Sequence, residues 1–178
     1  MIKKKLYKKG ILFWITGLSG SGKTSLAKKI FPIIKKLYGP TIHLDGDSLR
    51  KILDLKGFSY NERLSNTKIY NKIVRLITDQ NINVIISLVG LMNTPRNWNK
   101  KYIKKYIEIY IKSPVKKIVL KDKKKVYRNK INVVGLTIKP EFPKSPDIII
   151  NNRFDKKLDY LKIELLNKIS KAINKKNI

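Results

Sequence analysis

The sequence predicts a three-layer α/β fold, with a mostly parallel five-stranded sheet covered by helices on both faces. Three observations predict it. Short apolar runs recur along the 178 residues, with helical patterning between them. Most of those runs are apolar on both faces, as strands buried on both sides are. The first run leads straight into a glycine-rich loop and then a helical pattern. Strands alternating with helices imply parallel pairing with a helix on each crossover.

Each element follows from its own residues. Strands are expected at 11–16 (ILFWIT), 41–44 (TIHL), 84–88 (VIISL), 106–111 (YIEIYI) and 147–150 (DIII). They are rich in isoleucine and aromatics and bounded by turn residues. Leu26, Ile30, Ile34 and Leu37 recur at helical spacing behind the glycine loop. Ile69, Ile73, Leu76 and Ile77 do the same within 60–80, and Leu158, Leu161, Leu165, Ile169 and Ile173 mark a terminal helix. The segment 121–146 is the least regular, with one glycine and three prolines. A connection of that length suggests a lid. No repeat or second domain is visible, so 11–178 reads as one domain behind a basic tail, 1–10.

Composition excludes several classes. There is no cysteine, hence no disulfide framework and no thiolate zinc site. The single histidine, His43, excludes a histidine-cluster metal site and reads as structural or peripheral. No run approaches the roughly 18 apolar residues of a membrane span. The basic start, MIKKKLYKKG, meets too short an apolar run for a secretory signal, so a cytoplasmic protein is expected. Lys and Arg total 41 against 12 Asp and Glu, a net charge of +29. Such a charge suits an anionic partner: nucleic acid, acidic membrane or phosphorylated substrate. The lysines are dispersed, however, and aromatics do not interleave with them. They read mainly as solvated surface, and nucleic acid is not the expected partner.

The most informative stretch is GLSGSGKT, 17–24, which fits the phosphate-binding pattern G-x-x-x-x-G-K-[ST]. Glycines let successive backbone N–H groups converge on phosphate oxygens. Lys23 would reach the β- and γ-phosphates, and the Thr24 hydroxyl would ligate Mg²⁺. The helix that follows offers its N-terminal amides to the anion. A strand before the loop and a helix after it complete the context. This loop implies a nucleoside triphosphate. No N-K-x-D guanine motif follows, and the chain is short for a motor or helicase. A small-molecule kinase remains.

HLDGDSLR, 43–50, follows the second strand. It puts Asp45 and Asp47 at a strand's C-terminal end, where ligands of open α/β sheets collect. One carboxylate would hold Mg²⁺ through water, and the other would orient or deprotonate an attacking hydroxyl. Arg50 would pair with a substrate anion. The plainer alternative makes Asp47 a helix N-cap.

Together FWITGLSGSGKTSLAKKI, LDGDSLRKIL and GFSYNERLSN resemble the adenylylsulfate kinase family, and the likeness runs on through EIYIKSPVKKIVLKDKKKVY and PEFPKSPDIIINN. The resemblance implies the P-loop kinase fold, usually a homodimer. It implies MgATP-dependent phosphorylation of the 3′-hydroxyl of adenosine 5′-phosphosulfate. Residue by residue, Gly17, Leu18, Ser19, Gly20, Ser21, Gly22, Lys23, Thr24 and Ser25 would bind ATP phosphates and Mg²⁺. Asp47 would be the base or the substrate-orienting carboxylate, with Asp45 near the metal. Arg50, Arg63 and Asn66 would hold the acceptor's charged end, and Phe58 would stack on its base. Lys121, Asp122, Lys123 and Tyr127 would belong to the lid. Without the resemblance, Arg63 and Asn66 read as surface residues and Phe58 as a core aromatic.

Three departures fall on the acceptor side. The family's lid signature resembles D-P-K-G-L-Y, whereas DKKKVY stands at 122–127. A phenylalanine expected in the segment over the acceptor base is Val133, in NVVG. SLVGLMNTPRNWNK, 87–100, replaces a segment like I-S-P. These features are similar to a branch associated with surface-polysaccharide gene clusters, of which cytidine diphosphoramidate kinase is one example. A cytidine nucleotide is therefore the alternative acceptor. The alternative of another class is a basic nucleic-acid-binding protein on the same fold.

Overall fold

The computed structural model describes residues 9–121, 126–128 and 131–178. In chain order the elements are β1 (Leu12–Thr16), α1 (Lys23–Tyr38), β2 (Thr41–Asp45), α2 (Gly46–Ile52), α3 (Tyr60–Asp79), β3 (Asn83–Ser87), α4 (Asn93–Tyr102), β4 (Tyr106–Lys112), α5 (Val115–Lys121), β5 (Ile148–Asn151) and α6 (Leu158–Lys176). The five strands form one sheet in the order β2-β3-β1-β4-β5, every pair parallel. The expected three-layer α/β fold is the one observed.

The period of two along each strand divides the core. Phe13, Ile15, Ile107, Ile109 and Ile111 meet Leu26, Ile30 and Ile34 of α1 and Leu165 and Ile169 of α6. Leu12, Trp14, Val84 and Ile86 face the other way, onto Tyr70 and Val74 of α3 and Leu49 of α2. A third cluster sits above the sheet. It gathers Leu18, Leu91, Tyr110, Ile118, Tyr127, Val133 and Val134.

One helix has no apolar signature. The buried positions of α4 are Pro95, Arg96 and Asn99. Its stripe is polar because it faces Glu108, a buried carboxylate within β4. Arg96 Nε lies 2.8 Å and Lys100 Nζ 2.9 Å from that carboxylate. A buried charge persists only when paired, and here Glu108 has two cations.

β1 has β3 on one side and β4 on the other, so the connections diverge at its C-terminal end. That is the topological switch point, where open α/β sheets bind ligands.

Candidate active site

The loop between β1 and α1 is shaped by close approaches. A Cβ at Gly17 would lie 2.6 Å from the Ile111 carbonyl oxygen. One at Gly22, whose φ is +94°, would lie 2.9 Å from Asn152 Nδ2. Neither contact leaves room for a side chain. The Leu18 carbonyl accepts from Ser21 N at 3.1 Å and from Lys23 Nζ at 2.6 Å. Asn152, just past β5, donates to Ser21 O at 2.9 Å, and Tyr127 donates its hydroxyl to Ser19 O at 2.9 Å. The loop is thus held open from three sides over a cavity of about 430 Å³. Ser19, Gly20, Gly22, Lys23, Thr24 and Ser25 line its inner end. Lys121, Phe154, Lys156 and Leu158 line its outer end.

Asp45 ends β2 beside this loop. Its Oδ1 accepts from Asp47 N at 3.2 Å and Ser48 N at 3.3 Å, so Asp45 caps α2. The alternative of Asp47 as the cap is corrected: Asp47 lies inside the first turn, where its side chain is exposed. Asp45 Oδ2 accepts from Thr24 Oγ1 at 2.8 Å and from Ser87 Oγ at 3.2 Å. Ser87 lies 3.3 Å from Thr24 Oγ1 and 3.5 Å from His43 Nε2. Burial lowers the pKa of His43, with Asp45 opposing and Lys28 adding to the effect. Thr24, Asp45 and Ser87 form a compact all-oxygen donor set. It suits Mg²⁺, which takes oxygen ligands, needs one or two protein groups and keeps several waters.

A second, smaller cavity of about 60 Å³ opens on the far side of Asp47. Gly57, at φ +80°, turns the chain into α3. Ser59 and Glu62 then form a capping box at the start of that helix. This geometry leaves Phe58 standing before the helix, 51% exposed. The Arg50 guanidinium sits 4.4 Å and that of Arg63 5.2 Å from its ring centroid. Arg50 Nη1 donates to Gly57 O at 2.6 Å, and Arg63 donates to Phe58 O at 2.7 Å and to Asn132 O at 3.0 Å. Burial, then Arg50, lower the pKa of Arg63, and Asp47 opposes them. Asp47, Leu88 and Val89 line both cavities.

The structure distributes the expected residues unevenly. Lys23, Thr24, Asp45, Asp47, Arg50, Phe58 and Arg63 surround the two cavities. Gly17, Leu18 and Ser21 support the loop from behind and line neither. Tyr127 lines the larger cavity, not the acceptor side. Two expectations are corrected. Asn66 is buried on α3 and lines neither cavity; its neighbour Thr67 lines the smaller one. Val133 and Val134 are both buried in the third cluster, but only Val134, with Ile138, lines the smaller cavity. Asp122 and Lys123 lie outside the described residues. Sequence reading missed Ser87, Tyr70, Phe154 and Met92, which join the site only through the fold.

A family model for adenylylsulphate kinase matches residues 9–151. The chain belongs to the adenylylsulfate kinase family. Cytidine diphosphoramidate kinase of Campylobacter jejuni is 33% identical over 160 residues, covering 87% of this chain and 93% of that protein. A probable adenylyl-sulfate kinase of Aeropyrum pernix is 30% identical over 174 residues, covering 90% and 95%. Among solved structures, the APS kinase of Mycobacterium tuberculosis in complex with AMPPNP and APS superposes with a TM-score of 0.81 at 25% identity, over 91% of this chain and 98% of that one. This chain is therefore an adenylylsulfate kinase-like phosphotransferase with a P-loop kinase fold that binds a nucleotide. No helix among the described residues is long and apolar enough to cross a membrane.

Proposed function

We propose that the chain uses ATP to phosphorylate a ribose hydroxyl of a nucleotide acceptor, with the donor in the larger cavity and the acceptor in the smaller. The observation that carries this reading is the position of Asp47. It lines both cavities, where a group serving donor and acceptor together must stand.

The chain's residues divide the work. The amides of the phosphate loop and Lys23 hold the β- and γ-phosphates. Asp47 accepts the hydrogen bond of the acceptor hydroxyl, orients its oxygen and takes its proton. The acceptor oxygen bonds to the γ-phosphorus as the bond to the β–γ bridging oxygen breaks, and ADP leaves with that electron pair. Thr24, with Asp45 and Ser87 behind it, would hold Mg²⁺, which supplies neutralisation of the phosphate charge. Arg50 and Arg63 face the acceptor's anionic end, and Phe58 its base. Phe154 and Lys121 stand where the donor base lies. Tyr127 ties the segment after α5 to the loop at Ser19 and helps to exclude water.

Of the two acceptors, a cytidine diphosphate derivative such as cytidine diphosphoramidate is favoured. The wall that carries Val134 and Ile138 is aliphatic, so a base on Phe58 finds no aromatic on that side. Base stacking contributes about 1–3 kcal/mol per base, and a pyrimidine forgoes less of it than adenine. Adenosine 5′-phosphosulfate is the second reading, supported by the family match over 9–151; it would place the chain in sulfate activation. A cytoplasmic homodimer belongs to the same proposal.

The test is ATP consumption with Mg²⁺ by the purified protein, against both acceptors side by side and against Lys23→Ala as control. We expect turnover with cytidine diphosphoramidate and none from Lys23→Ala. Turnover with adenosine 5′-phosphosulfate alone reverses the acceptor order. Undiminished Lys23→Ala activity overturns the site.

A further inference from the structure

The wall of the smaller cavity is fastened by a residue that lines neither cavity. Glu141 follows the segment carrying Val134 and Ile138. Its Oε1 accepts from the Tyr60 hydroxyl at 3.0 Å. Its Oε2 accepts from the backbone N–H of Asn93, the first residue of α4. Its own N–H donates to Leu91 O at 3.0 Å. α4 has no capping side chain of its own, since Met92 stands at its N-cap. Glu141 therefore caps that helix from 48 residues away in sequence. Tyr60, Leu91 and Met92 all line the smaller cavity.

We infer that Glu141 is a positioning residue for the acceptor. Through its carboxylate and its own N–H, Glu141 joins the start of α3, the start of α4 with the loop before it, and the segment 131–141, the walls around the smaller cavity. A carboxylate suits this place because both oxygens accept and neither donates. It also stands at a helix N-terminus, where the macrodipole favours an anion. Tyr60, with its hydroxyl turned to Glu141, offers its ring to the cavity, and the hydrogen bond to Glu141 is the main reason its pKa is raised. None of these bonds is made to a residue that lines the larger cavity.

The inference rests on the assignment of the smaller cavity to the acceptor, and steady-state kinetics separate the two. The acceptor is whichever of cytidine diphosphoramidate and adenosine 5′-phosphosulfate the wild type turns over. Glu141→Ala loses two hydrogen bonds to a charged group, and its acceptor KM is expected to rise about tenfold. The ATP KM and the affinity for ADP by calorimetry should stay within about twofold. Glu141→Gln keeps one acceptor oxygen for Asn93, and the Tyr60 hydroxyl can reverse to accept from the amide, so it should restore much of the loss. Tyr60→Phe removes one arm only and should fall between. A rise in the ATP KM equal to that for the acceptor makes Glu141 merely structural and overturns the inference. So do unchanged KM values in both Glu141→Gln and Tyr60→Phe, a result that stands even where Glu141→Ala fails to fold. A wild type that turns over neither acceptor sinks the acceptor assignment itself, and the role of Glu141 with it.

Discussion

Thr24 donates its hydroxyl hydrogen bond to Asp45 Oδ2 at 2.8 Å, which joins the first turn of α1 to the end of β2. The bond puts a phosphate-loop hydroxyl and a helix-capping carboxylate in one oxygen cluster. The same carboxylate fixes α2 through its other oxygen, so the cluster cannot shift without moving Asp47. Thr24→Ser should keep the cluster and most of the activity. Thr24→Ala should lower kcat/KM by about 10–100-fold and raise the Mg²⁺ concentration needed for half-maximal rate, the scale seen when groups that orient a metal are removed. Mg²⁺ titration at fixed ATP checks it; an unchanged half-maximal concentration in Thr24→Ala removes Thr24 from the metal site.

Phe154 carries a backbone conformation that a bulky residue rarely adopts, φ +61°. Its N–H donates to Asn152 Oδ1 at 3.1 Å, and Asn152 is anchored on the phosphate loop. Lys121 Nζ lies 4.7 Å from its ring centroid. An aromatic held this way at the outer end of the larger cavity is placed to stack on the donor base. Phe154→Ala should weaken ADP binding by about tenfold, the lower part of the range for base–aromatic stacking. Phe154→Leu keeps apolar bulk but not a ring face and should recover little. Calorimetric titration with ADP reads both without any acceptor. Full affinity in Phe154→Ala would move the base elsewhere.

Glu108 tests a buried charge. With Arg96 buried beside it, Glu108→Gln leaves a guanidinium without its counter-ion, and such a loss costs about 3–5 kcal/mol. Urea unfolding should show that loss as a lower midpoint. Replacing Arg96 and Glu108 together by apolar residues of similar size should recover much of it. A Glu108→Gln midpoint equal to wild type would mean that the Arg96 guanidinium needs no counter-ion at this site.

How much of this was legible follows from the same residues. Every strand boundary was readable to within one residue, because runs such as 11–16 and 84–88 carry no charge and a single hydroxyl each, and are apolar on both faces. The phosphate loop was readable because its chemistry admits few residue types. α4 was not, since hydrophobic periodicity looks for an apolar stripe and this helix buries Arg96 and Asn99. That stripe makes sense only beside Glu108, which is contributed by a strand later in the chain. Asp47 was legible as a carboxylate after a strand, but its place between two cavities was not. The second cavity needs α3, the loop after β3 and the 131–138 turn together. Ser87 and Glu141 were hidden for the same reason: each acts through partners more than 40 residues away.

The turn 132–135 was legible in place but not in register, and this gives the sharpest test of the acceptor pocket. The sequence points to Val133 as the residue opposite Phe58. The structure buries both valines with Leu18 and Tyr127, but only Val134 reaches the cavity wall. A phenylalanine at the two positions should therefore do different things. Val133→Phe overpacks a filled cluster and should destabilise the fold by about 1–3 kcal/mol, with the acceptor preference unchanged. Val134→Phe adds a ring on the wall that faces the acceptor. It should shift preference toward adenosine 5′-phosphosulfate by up to about tenfold in kcat/KM, since a second stacking face is worth more to adenine than to a pyrimidine. Melting temperatures and competition between the two acceptors read both variants. If Val133→Phe alone changes the preference, residue 133 faces the acceptor and the wall is misassigned; if Val134→Phe alone changes it, Phe58 and residue 134 are the two sides of the base pocket.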